Sequence, residues 1–295
     1  MINSVVLPGT VVSARWLSDN LGRPGLVVAD IRGYVHSTAI DDDGHQVAQY
    51  VGAPEEYAEG HIPGAVFIDW TKDITDPDNP VPAQIAPPDR FAEAMASRGI
   101  GDDTAVVIAD HAGGHFATRL WWALRYYGHD NVAILDGGYR AWTAAGLAMT
   151  ADAPDPVRAA FTPRVRPELV ASAADVKDAI SRSDITIVDA RDPRTFSGEV
   201  YRGSRRGHIA GAVNMPIAQF LDDEGLWRSP AALQTVLESI GLTNGSNVIA
   251  YCNGGVTATA VLFALDRIGH QRWANYDGSW NEWAERFELP VVSDV

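Results

Sequence analysis

The sequence is short of three features, and each shortage excludes a class of protein. Cys252 is the only cysteine among 295 residues, so the chain can form no internal disulfide and no cysteine-rich metal site. Lysine and arginine number 23 against 38 acidic residues, and the formal charge of −15 disfavours nucleic acids and membrane surfaces as partners. No apolar run is long enough to span a bilayer, and residues 1–9 lack the pattern of a secretory signal. We therefore expect a cytoplasmic protein.

Four short blocks occur twice in the same order, which indicates a tandem duplication. The paired blocks are Asp30-Ile-Arg32 with Asp189-Ala-Arg191, residues 60–66 with 207–213, residues 105–114 with 247–255, and Asp136-Gly-Gly with Asp277-Gly-Ser. A length of 295 residues with 46% apolar residues suits two globular domains. We predict an N-terminal domain over 1–148, a linker rich in proline and alanine over 149–166, and a C-terminal domain over 167–295.

Each repeat alternates short β-branched runs with helical segments, such as residues 89–98, 118–127 and 231–240. This alternation predicts α/β domains, each with a parallel sheet and helices on both faces. Ligands of such folds bind beyond the carboxyl ends of the strands. Cys252 stands at the end of one predicted strand, so it is the first candidate for a functional side chain.

The stretch 247–261 predicts a strand, a tight loop and a helix. Its apolar run ends at Cys252, a glycine-rich turn follows, and a helical run begins after Thr257. Loop amides and a helix N-terminus would then surround the sulfur and favour the thiolate. Gly254 and Gly255 would let the backbone curl into a cradle. The alternative, a small buried side chain at a strand end, is disfavoured by this glycine pair and the helix after it.

The duplication separates scaffold from chemistry, because features present in both halves most simply serve the shared fold. His61 and His208 recur together, which predicts a hydrogen-bonding role in a turn for both. His111 takes the place of Cys252 in an ungapped alignment, so we predict that the N-terminal domain is non-catalytic. The sequence assigns no role to His111 or His115.

The combined motifs resemble the two-domain rhodanese-type sulfurtransferases, which include thiosulfate and 3-mercaptopyruvate sulfurtransferases. The motifs are Asp-x-Arg, Gly-His-Ile-x-Gly-Ala, Tyr-Cys-x-x-Gly-Val-Thr and Tyr-Asp-Gly-Ser-Trp-x-Glu-Trp, arranged in tandem halves. The resemblance implies two rhodanese-like domains and a ping-pong reaction that needs no metal or cofactor. Cys252 would take a sulfane sulfur from a small anionic donor and hold it as a persulfide. A thiol, cyanide or a thioredoxin-like protein would accept it.

The resemblance also implies which residues bind the substrate. The persulfide would be cradled by the loop residues Asn253, Gly254, Gly255, Val256 and Thr257. Within the basic cluster of Arg191, Arg194, Arg202, Arg205 and Arg206, two members match the arginines that bind the donor. Those two are Arg194 and Arg202, whose planar guanidinium groups suit an oxyanion. A solvated basic loop is the alternative interpretation of the cluster.

The choice of donor depends on the second and third positions of the loop. In the family, enzymes that use thiosulfate usually carry basic side chains there, and enzymes that use 3-mercaptopyruvate carry small neutral ones. Asn253 and Gly254 occupy these positions, which favours 3-mercaptopyruvate, although the hydroxyl usual at the third position is absent.

Two other functions stay open at this point. Phosphatases and arsenate reductases hold a thiolate in a similar loop, but the arginine that they need six residues after the cysteine is Ala258 here. A persulfide carrier or binding module would instead dock a partner and turn over poorly with small acceptors. We also predict that Trp280 and Trp283 wall the pocket, so that Trp280→Ala would weaken donor binding without unfolding the chain.

Overall fold

The computed structural model describes residues 5–242 and 245–295. Residues 1–4, at the start of the predicted N-terminal domain, and residues 243–244 lie outside the described residues. Within the described ranges, no helix has both the length and the apolar character needed to cross a bilayer.

The N-terminal unit is built on five parallel strands in the order β1-β7-β6-β2-β5, with a separate antiparallel hairpin of β3 and β4. Its strands are β1 (Val11–Val12), β2 (Leu26–Asp30), β3 (Gly33–Ser37), β4 (Ala48–Gly52), β5 (Val66–Phe67), β6 (Ala105–Ala109) and β7 (Val132–Leu135). Its helices are α1 (Ala14–Asn20), α2 (Pro54–Glu59), α3 (Pro88–Ala96), α4 (Ala117–Tyr126) and α5 (Gly138–Ala144).

The C-terminal unit repeats this topology with five parallel strands in the order β8-β13-β12-β9-β11. Its strands are β8 (Val170–Ala171), β9 (Ile185–Asp189), β10 (His208–Ile209), β11 (Val213–Asn214), β12 (Asn247–Tyr251), β13 (Trp273–Tyr276) and β14 (Val291–Val292). Its helices are α6 (Ala173–Ala179), α7 (Pro193–Ser197), α8 (Pro230–Glu238), α9 (Ala258–Arg267) and α10 (Ser279–Trp283). Two short 3₁₀ turns cover Pro167–Leu169 and Ile217–Phe220, and β10 pairs antiparallel with β14.

The central strands are apolar on both faces because helices cover both sides of each sheet. In β6 every residue is buried, and alternate side chains enter different cores. Val106 and Ile108 pack with α3 and α4, whereas Val107 and Ala109 pack with α1 and α5. The predicted architecture, two α/β domains with a parallel sheet and helices on both faces, is therefore confirmed.

The two units pack through equivalent helices, α4 and α9. Thr118 and Thr259 occupy the same place in the two helices, and their hydroxyl oxygens lie 2.9 Å apart in a buried hydrogen bond. Beside them the Trp121 ring meets Phe263 edge to face, with 5.0 Å between the ring centroids. One apolar core runs across this contact. Close packing of α4 against α9 therefore sets how the two sheets lie relative to each other.

Candidate active site

Cys252 follows β12 directly, at the carboxyl edge of the C-terminal sheet. It is 3% exposed and contributes to the wall of a cavity of about 350 Å³ that lies between the two units. Its backbone N–H donates to Ser279 Oγ at 3.1 Å, and its carbonyl accepts from the N–H of Trp280 at 3.0 Å. The start of the loop is therefore held by α10.

The loop from Cys252 to α9 places four of its five predicted residues on the cavity. Asn253, Gly254, Val256 and Thr257 line it. Gly255 lies behind them with a φ of +70°, and a Cβ there would stand 2.8 Å from the carbonyl oxygen of Asp277. Only glycine fits this position, for two reasons. A side chain disfavours the positive φ, and it would collide with the backbone of Asp277.

The N-terminal equivalent of Cys252 is Asp110, and the alignment with His111 was wrong by one residue. Strand pairing decides the register, since Asp30 lies opposite Ala109 as Asp189 lies opposite Tyr251. The N-terminal loop is one residue longer than the C-terminal loop. An alignment without a gap therefore matches the helices correctly but is wrong by one residue at the position before the loop.

Asp110 shows what a loop of this kind holds. One oxygen of its carboxylate accepts from the backbone N–H groups of Ala112 at 3.2 Å and Gly114 at 3.0 Å. The other oxygen accepts from the N–H groups of Phe116 at 2.9 Å and Ala117 at 3.0 Å. In the N-terminal unit, the strand, loop and helix are thus closed around a negative charge by backbone amides.

The structure brings Arg202 to the cavity and leaves Arg194 outside it. Arg202 lines the wall, where its guanidinium donates to Ser37 Oγ at 2.8 Å and to Gln46 Oε1 at 3.0 Å. Arg194 is exposed and forms an ion pair with Glu199 at 2.7 Å. Of the two arginines expected to bind the donor, only Arg202 is placed to touch a molecule in the cavity.

The other arginines of the basic cluster have structural partners. Arg191 also lines the cavity, but its guanidinium is bound to the buried carboxylate of Asp189 at 2.6 Å. Burial opposes its charge, yet Asp189 and Tyr251 together outweigh burial and raise the pKa of Arg191. Arg205 donates to backbone carbonyls that include those of Ala284 and Leu289. Arg206 donates to the carbonyl of Asp43.

The N-terminal unit supplies four residues of the cavity wall that the sequence did not reveal: Val35, Tyr50, Trp70 and His115. Nε2 of His115 lies 3.0 Å from the hydroxyl oxygen of Thr257 in the loop. Burial lowers the pKa of His115, which favours its neutral form. A contact between residues 142 positions apart leaves no local pattern that could have predicted it.

Arg119 of α4 braces the loop from the other domain. Its guanidinium is 1% exposed and donates to the carbonyls of Gly255 at 3.1 Å and Ala83 at 2.8 Å, and it pairs with Asp277. The second carboxylate oxygen of Asp277 accepts from the N–H of Ile85 at 2.7 Å. The loop backbone is thus tied to the N-terminal unit by a buried ion pair.

The prediction that Trp280 and Trp283 wall the cavity was wrong, because both are buried and neither lines it. Trp280 lies beneath Arg191 and Arg202. Its indole N–H donates to the carbonyl of Arg202 at 3.2 Å, and the guanidinium of Arg191 stands 4.5 Å above its ring.

The paired histidines make hydrogen bonds as predicted, but neither lies in a turn. His61 forms an isolated β-bridge with Thr150, and its Nδ1 lies 2.8 Å from the carbonyl oxygen of Tyr57 in α2. His208 begins β10, and its Nδ1 lies 2.9 Å from the carbonyl oxygen of Phe196 in α7.

The model of the rhodanese-like domain matches residues 13–145 and 172–286. This chain belongs to the rhodanese-like domain family. The 3-mercaptopyruvate sulfurtransferase of Escherichia coli (strain K12) is 34% identical over 283 residues, covering 95% of this chain and 96% of that protein. The thiosulfate sulfurtransferase of Bos taurus is 33% identical over 291 residues, covering 95% and 94%. The family suggested by the sequence motifs is confirmed.

The fold agrees with a solved relative. The crystal structure of SseA from Escherichia coli, described as a 3-mercaptopyruvate sulfotransferase with the rhodanese fold, superposes with a TM-score of 0.79 at 32% identity. The match covers 92% of this chain and 98% of that one. Because relatives named for either donor are almost equally similar, identity alone does not choose between the donors.

Proposed function

We propose that this chain is a sulfurtransferase in which Cys252 carries a sulfane sulfur as a persulfide. The sulfur comes from 3-mercaptopyruvate or thiosulfate and passes to a thiophilic acceptor such as cyanide or a thiol. One observation supports this most strongly: the only cysteine ends a strand at the cavity, in a loop whose N-terminal counterpart binds a carboxylate through four amides.

The loop would stabilise the charge that each half-reaction leaves on sulfur. The thiolate of Cys252 attacks the donor sulfur, a sulfur–sulfur bond forms, and the donor leaves with the electron pair of the bond that breaks. By analogy with the amides around Asp110, the amides of residues 253–258 would meet the resulting persulfide anion. No metal is needed for this step.

We place the organic donor, 3-mercaptopyruvate, ahead of thiosulfate. Arg202 is the one cavity arginine without a carboxylate partner among the described residues, and the loop positions Asn253 and Gly254 add no charge. The remaining wall is largely apolar, with Val35, Trp70 and Ile217 among its members. One guanidinium free of a carboxylate partner, on a wall that is mainly apolar, suits a carboxylate on a carbon chain better than a compact dianion.

We further propose a role for each domain, a location and an acceptor. The N-terminal domain (1–148) carries no nucleophile and serves to complete the cavity, the segment 149–166 links the domains, and 167–295 carries the chemistry. A cytoplasmic location would keep Cys252 reduced between turnovers. A thioredoxin-like protein is a reasonable acceptor there, because it presents a reactive thiol.

The test is the intact mass of the protein before and after incubation with each donor, beside Cys252→Ser. We expect the wild type to gain one sulfur atom and the variant to gain none. Thiocyanate formation from cyanide, followed in parallel, separates an enzyme from a persulfide carrier, which would load but turn over poorly. If neither donor adds sulfur to Cys252, the proposed function is wrong, and hydrolysis of an aryl phosphate becomes the next assay.

A further inference from the structure

The hairpin of β3 and β4 brings the N-terminal unit onto the cavity. In the C-terminal unit β9 leads directly to α7, which is the counterpart of α2, so the hairpin is a feature of one half only. Val35 and Tyr50 line the cavity from its two strands. Ser37 and Gln46, which accept hydrogen bonds from Arg202, belong to the same segment. The hairpin therefore forms part of the cavity wall and also holds Arg202, the arginine proposed to bind the sulfur donor.

The hydroxyl group of Tyr50 has a proton that no described residue accepts. Its oxygen accepts from Nδ2 of Asn281 at 3.4 Å and faces the guanidinium of Arg202. Both of these groups are donors only, so they occupy the oxygen and leave the proton of the phenol free. Asn281 is itself fixed, because its backbone N–H donates to the carbonyl of Asn253 in the loop at 2.8 Å.

The free proton lies beside the reacting loop. A Cβ built on Gly254 would stand 3.5 Å from the Tyr50 oxygen. The phenol therefore lies close to the loop, at a position where the loop carries no side chain. Burial, followed by the negative charge of Cys252, raises the pKa of Tyr50. The phenol therefore stays protonated, and remains a donor, through the neutral range.

We propose that Tyr50 is a catalytic residue contributed by the N-terminal unit, and that its hydroxyl donates a hydrogen bond to the anion that leaves when Cys252 takes the sulfur. The inference rests on the proposed function. Tyr50 supplies, from the other domain, a side-chain donor at the edge of the loop, where Gly254 has no side chain. The Tyr50 oxygen suits this role because it accepts from Asn281, keeps its own proton free and lies on the cavity wall.

Loading of Cys252 needs no reactant other than the sulfur donor. With 3-mercaptopyruvate, the Cys252 thiolate forms the sulfur–sulfur bond while the carbon–sulfur bond breaks, and the electron pair passes to an enolate. The proton of the donor thiol ends on the enolate carbon, which gives pyruvate and the Cys252 persulfide anion. With thiosulfate, the sulfur–sulfur bond of the donor breaks and sulfite leaves. In both cases Tyr50 keeps its proton and stabilises a charged oxygen.

The test compares Tyr50→Phe with Tyr34→Phe, which removes the same atom from the other strand of the hairpin. The Tyr34 hydroxyl bonds Glu56, away from Cys252. Single-turnover loading of Cys252 is followed by mass, and transfer of the loaded sulfur to cyanide is followed separately. We expect Tyr50→Phe to slow loading roughly 100-fold, which is the usual effect of one lost donor to an oxyanion. Its KM for the donor and its melting temperature should change little.

The discharge to cyanide identifies the role. Because that step releases no donor anion, Tyr50→Phe should discharge a preloaded persulfide at the rate of the wild type, whereas a merely structural defect would slow both steps. Tyr34→Phe should match the wild type in both. If Tyr50→Phe loads as fast as the wild type, the inference is wrong while the proposed function stands. If the wild type itself does not load, the proposed function fails and the inference fails with it.

Discussion

Arg194 and Arg202 lie close together on one basic segment, yet their surroundings give them different chemistry. Arg202 is turned to the cavity and is held by two neutral oxygens, those of Ser37 and Gln46. Arg194 is exposed and already paired with Glu199. A neutral partner leaves the charge of a guanidinium available to an incoming anion, whereas a carboxylate neutralises it.

Replacing Arg202 by alanine should weaken the binding of an anionic donor. We expect the KM for 3-mercaptopyruvate to rise about 10- to 100-fold, because a hydrogen bond to a charged group typically contributes about 1.5–3 kcal/mol. Steady-state kinetics with cyanide as the acceptor measure it. Arg194→Ala is the matched control, with an unchanged KM. An equal rise in both variants would show that the two arginines act through the general charge of the segment.

At the scale of whole elements, α4 and the end of β13 are joined by the pair of Arg119 and Asp277. Both side chains are buried, and the guanidinium also binds the loop carbonyl of Gly255. A buried ion pair adds little net stability compared with apolar residues, but loss of one partner leaves an uncompensated charge. The main effect of the Arg119–Asp277 pair is therefore to fix the relative position of the two domains. Its net contribution to stability is small.

Arg119→Met should lower the free energy of unfolding by about 3–5 kcal/mol, because the Asp277 carboxylate would remain buried without its cation. Urea denaturation measures the loss. The double variant Arg119→Met, Asp277→Leu should recover part of it. Arg158→Met, which breaks an exposed pair with Glu93, should change stability little. A loss no larger in Arg119→Met than in Arg158→Met would contradict the role of this pair.

At the scale of the whole molecule, the buried His129 and the half-buried His115 make stability depend on pH. Burial lowers the pKa values of His115 and His129 below the ordinary value of 6.5. The unfolded chain therefore binds more protons than the folded chain as the pH falls below about 6.5. Their contribution to stability is complete above that pH and is lost as the pH falls through the lowered values.

His115→Gln should flatten this dependence. In the wild type, each proton taken up on unfolding adds a slope of at most about 1.4 kcal/mol per pH unit, and the variant should lose the share of His115. Urea denaturation at several pH values between 5 and 7.5 gives the slope. His36→Gln, at an exposed position on the hairpin, serves as the control. An unchanged slope in His115→Gln would show that His115 does not titrate on unfolding.

The duplication, the α/β class and the place of Cys252 were determined by the sequence alone. These properties are written in local patterns: β-branched runs, helical spacing, glycine pairs and the repeat of short blocks. Cys252 could be placed at a strand end because the apolar run before it and the helix after it are contiguous in the chain. Contiguity is the physical reason that these predictions succeed.

Only the tertiary structure decided how the site is completed. Asp110 replaced His111 as the counterpart of Cys252 because strand pairing, and not residue spacing, sets the register. Arg202 and Arg194 differ in role because neutral oxygens surround the first guanidinium and a carboxylate binds the second. Tyr50 and His115 entered the cavity from the other domain, through contacts that span more than a hundred residues. Such contacts depend on the packing of α4 against α9, which no local stretch of sequence encodes.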